Sequence, residues 1–369
     1  MKCNDSYPAT GGLALQNMDH KFPLALSYDD VLLVPQYSDI ASRNDVNLTT
    51  KITTKLSLKI PLISANMSDV TGSVMAASMA RLGGLGVIPR FMPAEEEANM
   101  VAIVKKENLL VGAAIGIRNG MYARAETLIN SGADILFLDV AHGHMLKVIQ
   151  AVSDFKNKFR NTDLVAGNVA TKEAAEALFR AGADSVKVGI GPGSICTTRI
   201  ETGSGVPQIT AILEAAKAAK KFKKSLIADG GVKNSGDVVK GLAAGASAIM
   251  AGSIFAGTDE APGKMVEING ISYKNYNAST SLTEKKNHVQ KDKDEFEKNY
   301  IKQIEGVESF VPYKGPLKPI VEKIVANLRS GLSYSGASNI EVFWKKARFV
   351  QITTMGRRES EAHDVILAS

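Results

Sequence analysis

The segment from Gly189 to Arg199 carries the residue types that nucleophilic chemistry requires. It reads Gly-Ile-Gly-Pro-Gly-Ser-Ile-Cys-Thr-Thr-Arg, so Cys196 follows three glycines and precedes two hydroxyl residues and an arginine. A glycine-rich loop after a strand can expose backbone amides to a phosphate or carbonyls to a cation. A nearby cation stabilises the thiolate, which is the reactive form of cysteine. A small buried cysteine with a packing role is the alternative, but the glycine-rich setting favours a nucleophile at Cys196.

Two further polar segments indicate a nucleotide site. Asp229-Gly-Gly231 and Gly252-Ser253 each follow a short apolar run. In barrel enzymes the backbone N–H groups at such strand ends, together with a short helix, often bind phosphate. A carboxylate at Asp229 can accept both hydroxyls of a ribose, so a nucleoside monophosphate or a sugar phosphate is the expected ligand. Turn formation alone explains such residues one by one, but their repetition at successive strand ends favours function.

Eight short apolar runs, most of them followed by a segment of helical periodicity, would position these residues. The runs are too short for buried helices and lack strict alternation, which is typical of strands buried on both faces of a parallel sheet. This pattern predicts an α/β fold, a (β/α)8 TIM barrel, with a doubly wound sheet as the alternative. The runs span 60–66, 85–89, 109–116, 135–141, 163–169, 185–191, 225–231 and 248–253, and the clearest helices span 73–82, 121–131, 172–181, 208–220 and 235–245.

Three segments lie outside this alternation of strands and helices. Residues 1 to about 58 are expected to form an N-terminal arm with a strand or two. The Lys-rich segment 265–320 is typical of a solvated surface element, although after the eighth strand it could also fold over the barrel mouth as a mobile lid. Residues 317–369 form a C-terminal extension, with a helix to Leu328 and the polar cluster Glu359-Ser360-Glu361.

Composition limits the class of protein. The chain has 369 residues, 45% of them hydrophobic and 22% charged, which suits a large α/β domain and excludes collagen-like, disordered and disulfide-rich chains. Cys3 and Cys196 are far apart in sequence, which favours a reducing cytoplasm. No run approaches the ~20 apolar residues of a membrane span, and the start of the chain lacks a signal pattern. The net charge of +6 comes without a cluster of aromatic residues, so a nucleic-acid partner is not expected.

The chain resembles the inosine monophosphate dehydrogenase/guanosine monophosphate reductase family over nearly its whole length. The matching stretches are YDDVLLVP from Tyr28, DVAHGH from Asp139, AGNV from Ala166, GIGPGSICTTR, GVPQ from Gly205, IADGG from Ile227 and FAGT from Phe255. The family is a homotetrameric (β/α)8 barrel. The resemblance therefore implies one catalytic domain over residues 1–369, a mobile flap over about 276–313, and a homotetramer.

The resemblance also implies a role for individual residues. Cys196 would attack C2 of the purine and form a covalent intermediate. The substrate would be held by Ser194, Asp229, Gly231, Gly252, Ser253 and Tyr276, and the nicotinamide dinucleotide by Asp139, Asn168, Arg90 and Gly189. Carbonyl groups of Gly191, Gly193 and Cys196 would bind a monovalent cation such as K⁺, which related dehydrogenases complete with a C-terminal cluster from a neighbouring subunit.

The family contains two chemistries, and the flap distinguishes them. The dehydrogenase oxidises IMP with NAD and hydrolyses its adduct with an Arg-Tyr pair on the flap. No arginine occurs between Arg199 and Arg329, and lysine replaces a guanidinium poorly. The reductase converts GMP to IMP and ammonia with NADPH. Thr198 resembles the threonine that helps protonate the departing amine, and Glu305 or Glu284 would be the acid.

The prediction is therefore a GMP reductase, with an IMP dehydrogenase as the alternative. Many dehydrogenases carry a CBS-type regulatory pair after the second strand. Only about twenty residues separate Pro89 from Leu110, which is room for one helix at ~1.5 Å per residue. We therefore expect no CBS-type domain.

Overall fold

An N-terminal arm closes the base of the molecule. In the computed structural model, which describes residues 22–118, 120–291 and 299–365, the arm contains β1 (Val31–Leu33), β2 (Thr50–Lys51) and β3 (Ser57–Leu58), with 3₁₀ turns at Tyr28–Asp30 and Arg43–Asp45. β2 and β3 pair as an antiparallel hairpin. The Thr50 hydroxyl donates to the Ser247 carbonyl at 2.7 Å, and the Thr53 hydroxyl donates to Asp163. Ser247 and Asp163 lie at the amino ends of barrel strands, so the hairpin caps that end.

Eight parallel strands close into a barrel, which confirms the fold predicted from the sequence. The strands pair in chain order, and the last pairs with the first, where Ile249 lies opposite Leu62. Most of their side chains are fully buried, which explains why the apolar runs lack alternation. The strands are β4 (Leu62–Ser64), β5 (Leu85–Ile88), β6 (Gly112–Ile115), β7 (Ile135–Asp139), β8 (Asp163–Val169), β9 (Ser185–Val188), β10 (Ser225–Asp229) and β11 (Ala248–Ala251).

Helices connect the strands, and those predicted most clearly end within two residues of their expected bounds. Their starts have local causes: the Thr171 hydroxyl accepts from the amide of Ala174, and the Asn234 side chain accepts from the amide of Asp237. The helices are α1 (Ser73–Arg81), α2 (Ala94–Lys105), α3 (Met121–Asn130), α4 (Leu146–Lys158), α5 (Lys172–Arg180), α6 (Thr198–Thr202), α7 (Gln208–Phe222), α8 (Ser235–Ala243) and α9 (Ser253–Ala256).

The segment after the eighth strand contains a sheet that its Lys-rich composition does not predict. β12 (Met265–Ile268), β13 (Ile271–Asn275) and β14 (Phe310–Pro312) form an antiparallel sheet. Between β13 and β14 the chain forms α10 (Leu282–Lys291) and a 3₁₀ turn at Tyr300–Lys302. We call residues 276–309 the flap. It therefore begins and ends on one small sheet.

The C-terminal extension packs against the N-terminal arm. It contains α11 (Leu317–Tyr334), which continues six residues beyond the predicted end at Leu328, then α12 (Ile340–Lys346), β15 (Phe349–Gln351) and α13 (Thr354–Arg358). β15 pairs antiparallel with β1. Within the described ranges, no helix has both the length and the apolarity needed to cross a membrane.

Candidate active site

The side chains predicted to act together lie at the carboxyl ends of the barrel strands. The loop with Cys196 follows β9, Asp229 ends β10, and Gly252 follows β11. Parallel strands bring these ends to one rim of a barrel, where barrel enzymes place their catalytic residues. Cys196 is partly exposed, as a nucleophile must be to meet a substrate. Cys3 lies outside the described residues.

A chain of hydrogen bonds joins the candidate nucleophile to a carboxylate. The Cys196 thiol donates to the Thr198 hydroxyl at 3.1 Å, and this hydroxyl donates to Glu305 Oε2 at 2.7 Å. Glu305 belongs to the flap and lies 107 residues further along the chain. The structure thus brings all three predicted catalytic residues together. Glu284, the other candidate acid, instead lies against His288, with 3.6 Å between Oε2 and Nε2.

Backbone pairing places Glu305 in this chain. The amide of Thr197 donates to the Glu305 carbonyl at 3.0 Å, and the amide of Val307 donates to the Ile195 carbonyl at 3.1 Å. Together they form a short antiparallel bridge between Cys196 and Gly306. A side chain at position 306 would collide with Ala278, so only glycine fits there. The flap end is therefore held against the catalytic loop by the main chain.

Lys187 connects two of the predicted binding residues. Its Nζ lies 2.8 Å from Asp139 Oδ1 and 2.5 Å from Asp229 Oδ2, and the lysine is 2% exposed. Asp139 ends β7 and Asp229 ends β10, so the ammonium bridges two separate strands. Lys187 does not stand out in the sequence, although a lysine inside a buried strand rarely occurs without a charged partner.

Asn168 and Gly189 support the same cluster. The Asn168 side-chain amide donates to the Gly189 carbonyl at 2.7 Å and to Asp229 Oδ2 at 3.0 Å. Its Oδ1 is buried and has no hydrogen-bond partner among the residues that the structure describes. Gly189 has a positive φ of 152°, and a side chain there would collide with the Asp229 carbonyl. These contacts hold the ends of β8, β9 and β10 together.

The charges around Asp139 keep it ionised. Burial would raise the pKa of Asp139, but the Lys187 ammonium, Arg90 and a hydrogen bond with Asn66 together hold it below its usual value. Arg90 also lies over the ring of Phe91, with its guanidinium carbon 4.3 Å from the centroid. Arg90 is thus on the Asp139 side of the mouth.

The predicted phosphate residues meet around Tyr276. Burial raises the pKa of Tyr276 to about 12, against the effect of hydrogen bonds with the Ser194 side chain and the Ser253 backbone. A Cβ at Gly252 would lie 2.6 Å from the Tyr276 hydroxyl oxygen. Gly231, with φ of 79°, lies near Pro192 of the catalytic loop. Ser194, Gly252, Ser253 and Tyr276 therefore form one corner of the mouth.

A cavity of about 410 Å³ lies beside the catalytic residues. Thr198 and Glu305 line one side of it. The remaining polar lining comes from loops after β7, β8 and β9, and includes His142, His144, Thr171, Thr202 and Ser204. The cavity is large enough for part of a second ligand.

The described part of the flap packs across the mouth on the side of β5 and β6. The His288 ring stacks on Phe91 with 3.8 Å between centroids, and its Nδ1 lies 3.1 Å from the Tyr300 hydroxyl. The flap lacks arginine, yet Arg118 of the barrel lies over the Tyr300 ring, with its guanidinium carbon 5.0 Å from the centroid. The barrel thus supplies an arginine next to a flap tyrosine, which the sequence does not predict.

Comparison with known proteins agrees with this geometry. Residues 25–363 match the family model described as the IMP dehydrogenase / GMP reductase domain. The chain belongs to this family. An inosine-5'-monophosphate dehydrogenase of Cryptosporidium parvum is 42% identical, covering 92% of this chain and 95% of the relative. One from Nitrosopumilus maritimus is 34% identical, covering 94% and 100%. A structure of a GMP reductase variant from Trypanosoma brucei, in complex with guanosine 5'-monophosphate, matches with a TM-score of 0.87 and 30% identity, covering 94% of this chain and 99% of that chain.

Membership makes the chain an oxidoreductase of purine nucleotide metabolism that uses a nicotinamide dinucleotide. The structure fits such a cofactor, because the cavity beside Thr198 adjoins the end of β8, where the buried Oδ1 of Asn168 has no partner within the described ranges. An amide oxygen in this state can accept a hydrogen bond from a carboxamide.

The cation site implied by the family resemblance concerns the backbone of the catalytic loop. Among the described residues, no group of three or more His, Cys, Asp or Glu side chains could hold a metal ion. The Gly193 carbonyl accepts from the Cys196 amide at 3.2 Å, so this carbonyl already has a partner within the loop. Glu359, Ser360 and Glu361 follow α13 as exposed residues. A monovalent cation at Gly191, Gly193 and Cys196 stays a prediction.

Proposed function

We propose that this family member is a GMP reductase, which converts GMP to IMP and ammonia with NADPH. The hydrogen-bonded chain from Cys196 through Thr198 to Glu305 carries the proposal. It links a nucleophile to a carboxylate through one hydroxyl, which suits a reaction in which a proton must leave a thiol and later reach a departing amine.

In the first step the Cys196 proton passes through Thr198 to the Glu305 carboxylate. The thiolate then forms a bond from sulfur to C2 of the guanine ring. The proton held at Glu305 returns through Thr198 to the 2-amino group, the C2–N bond breaks, and ammonia leaves. NADPH, when bound, supplies the hydride that C2 accepts, after which the C2–S bond breaks and the thiolate is released. The sum is GMP, NADPH and a proton giving IMP, ammonia and NADP⁺.

The other residues hold the two ligands in this scheme. Asp229 would bind the ribose hydroxyls of GMP, while the corner formed by Ser194, Gly252, Ser253 and Tyr276, together with Gly231, would bind the phosphate. Asp139, Asn168, Arg90 and Gly189 would face the dinucleotide. Both ligands would thus meet beside Cys196, which shortens the hydride path.

IMP dehydrogenase is the second candidate. Two observations support it: the sequence identity with relatives that carry this name, and the contact of Arg118 with Tyr300. Against it stands the absence of arginine from the flap sequence. Hydrolysis of a covalent adduct needs a base for water, whereas release of ammonia does not.

The test is a direct assay of the purified protein with each pair of substrates. With GMP and NADPH we expect sustained oxidation of NADPH and release of ammonia in equal amounts. With IMP and NAD we expect at most one NADH per active site, because the adduct is not hydrolysed. Sustained formation of XMP would overturn the proposal in favour of the dehydrogenase.

We also propose a cytoplasmic homotetramer whose catalytic loop binds K⁺, completed by Glu359 or Glu361 of a neighbouring subunit. Carboxylate and carbonyl oxygens suit hard cations. Sedimentation gives the subunit number, and activity in a buffer of large organic cations gives the dependence on K⁺. Activity that is indifferent to K⁺ would mean that the C-terminal cluster is a solvated tail.

A further inference from the structure

One buried ammonium group contacts both carboxylates that the proposed function assigns to the two ligands. We infer that Lys187 is a positioning residue that orients Asp229 for the nucleotide and Asp139 for the dinucleotide, and thereby couples the binding of the two ligands. The inference rests on the proposed assignment of these two carboxylates.

Each of the two aspartates is held in place through one of its carboxylate oxygens. Asp229 Oδ2 accepts from both Lys187 and Asn168, at 2.5 and 3.0 Å. With Oδ2 engaged twice, Oδ1 is the oxygen that remains for a ribose hydroxyl. Asp139 Oδ1 lies 2.8 Å from the same ammonium. The two carboxylates keep 20% and 23% exposure, whereas the lysine side chain keeps 3%, so the ligands can reach the acids but not the base.

The charge balance explains why the two acids depend on one lysine. Burial and mutual repulsion both disfavour two ionised carboxylates in one cluster, and a shared cation offsets both effects. Lys187 is buried, and its two carboxylate partners raise its pKa above the ordinary lysine value, so it stays charged. Without this charge, the pKa of Asp139 would rise, and the two carboxylates would lose their shared partner.

Coupling follows from the shared contact. A nucleotide that fixes Asp229 also fixes the ammonium, and the ammonium holds Asp139 in place. The dinucleotide then meets a carboxylate that is already ordered, so less conformational entropy is lost in the second binding event.

The experiment compares Lys187→Met with Asp229→Asn, Asp139→Asn and a matched control, Lys156→Met. Lys156 forms a similar half-buried bridge to Asp184, at 2.7 Å, at the opposite end of the barrel. We expect Asp229→Asn to raise mainly the KM of the nucleotide and Asp139→Asn mainly that of the dinucleotide. Lys187→Met should raise both about tenfold or more, as expected when a buried charge pair loses one member. Lys156→Met should raise neither.

Two further readouts separate positioning from a general structural role. Calorimetry with GMP, in the presence and absence of saturating NADP⁺, should show tighter GMP binding with NADP⁺ in the parent and no difference in Lys187→Met. The acid limb of the pH profile for the dinucleotide should move to higher pH in Lys187→Met, since the loss of the ammonium raises the pKa of Asp139.

If Lys187→Met does not fold, a double-variant cycle on the two aspartates tests the same inference. If Lys187 couples the acids, the combined effect of Asp229→Asn and Asp139→Asn on GMP affinity will differ from the sum of the single effects. Additive effects, or a Lys187→Met effect on one ligand only, would overturn the inference. If the parent binds no GMP, the proposed function fails instead, and the same variants are then measured with IMP and NAD.

Discussion

Lysine–carboxylate bridges occur at both ends of the barrel, but they are completed in different ways. At the base, Lys105 contacts Asp134 at 2.9 Å and Lys156 contacts Asp184 at 2.7 Å. In both pairs the aspartate also accepts a hydrogen bond from a backbone amide in or just before a strand. The donor is Val111 in the first pair and Leu164 in the second, each at 2.9 Å. The two bridges repeat one arrangement.

At the mouth, side chains rather than backbone amides hold the two carboxylates. The side-chain oxygens of Asp139 and Asp229 are held by side chains, with Lys187 between them and Asn168 on Asp229. A carboxylate that accepts main-chain amides is fully used by the fold, and it clamps a helix to a strand. A carboxylate that is held only by side chains keeps an oxygen for a ligand. The difference separates structural from functional ion pairs.

The largest effect is expected at the mouth, from Cys196→Ser. Turnover should fall by about 10³-fold or more, because an alkoxide is much harder to form than a thiolate and the nucleophile cannot be bypassed. GMP affinity, measured by calorimetry, should stay close to that of the parent. Turnover within tenfold of the parent would contradict a covalent mechanism.

Glu305→Gln should reduce kcat by about 10²–10⁴-fold, the usual contribution of general acid–base catalysis. Thr198→Val should have a similar effect, and the double variant should be little worse than either, since both residues belong to one proton path. Glu308→Gln is the matched control in the same segment, because Glu308 accepts from the amide of Thr283 and does not touch Thr198. Equal losses in Glu305→Gln and Glu308→Gln would refute the proton path.

At the base, Lys156→Met should lower stability and leave catalysis alone. We expect a loss of about 1–3 kcal/mol in the free energy of unfolding, because the Asp184 carboxylate and the Thr162 carbonyl lose a donor. Urea unfolding gives this value, and steady-state kinetics of the folded protein should match the parent. A change in either KM would remove the distinction between the two ends.

The smallest effect concerns a group of three charged residues near the surface, which sharpens the contrast with the buried ion pairs. Asp29 contacts Lys233 at 2.6 Å and Arg357 at 3.2 Å. Burial opposes the effect, but these cations hold the pKa of Asp29 below its ordinary value. A carboxylate whose pKa is lowered by folding stabilises the fold at pH values above its unfolded-state pKa. This stabilisation is lost as the pH falls through its folded-state pKa. Asp29→Asn should therefore cost at most about 1 kcal/mol at neutral pH. A stability difference from the parent that persists in strong acid would contradict this origin.

Local patterns were sufficient for the barrel. Strands such as Ile135–Asp139 are buried on both faces, so their apolar runs are visible in the sequence itself. The sheet formed by β12, β13 and β14 was missed because Met265, Ile268 and Ile271 stay largely exposed and are separated by polar residues. With little apolar surface to bury, such strands leave a weak pattern.

What the sequence by itself determined is the set of strands, the glycine-rich loop with Cys196, and the residues that follow each strand. Only the tertiary structure decided that Glu305 rather than Glu284 completes the catalytic chain, that Arg118 meets Tyr300, and that Lys187 joins two aspartates. The physical reason is the separation along the chain of the residues that interact. Hydrophobic periodicity acts over a few neighbours and can be recognised along the chain, whereas these contacts join residues from different strands and loops that meet only when the barrel closes.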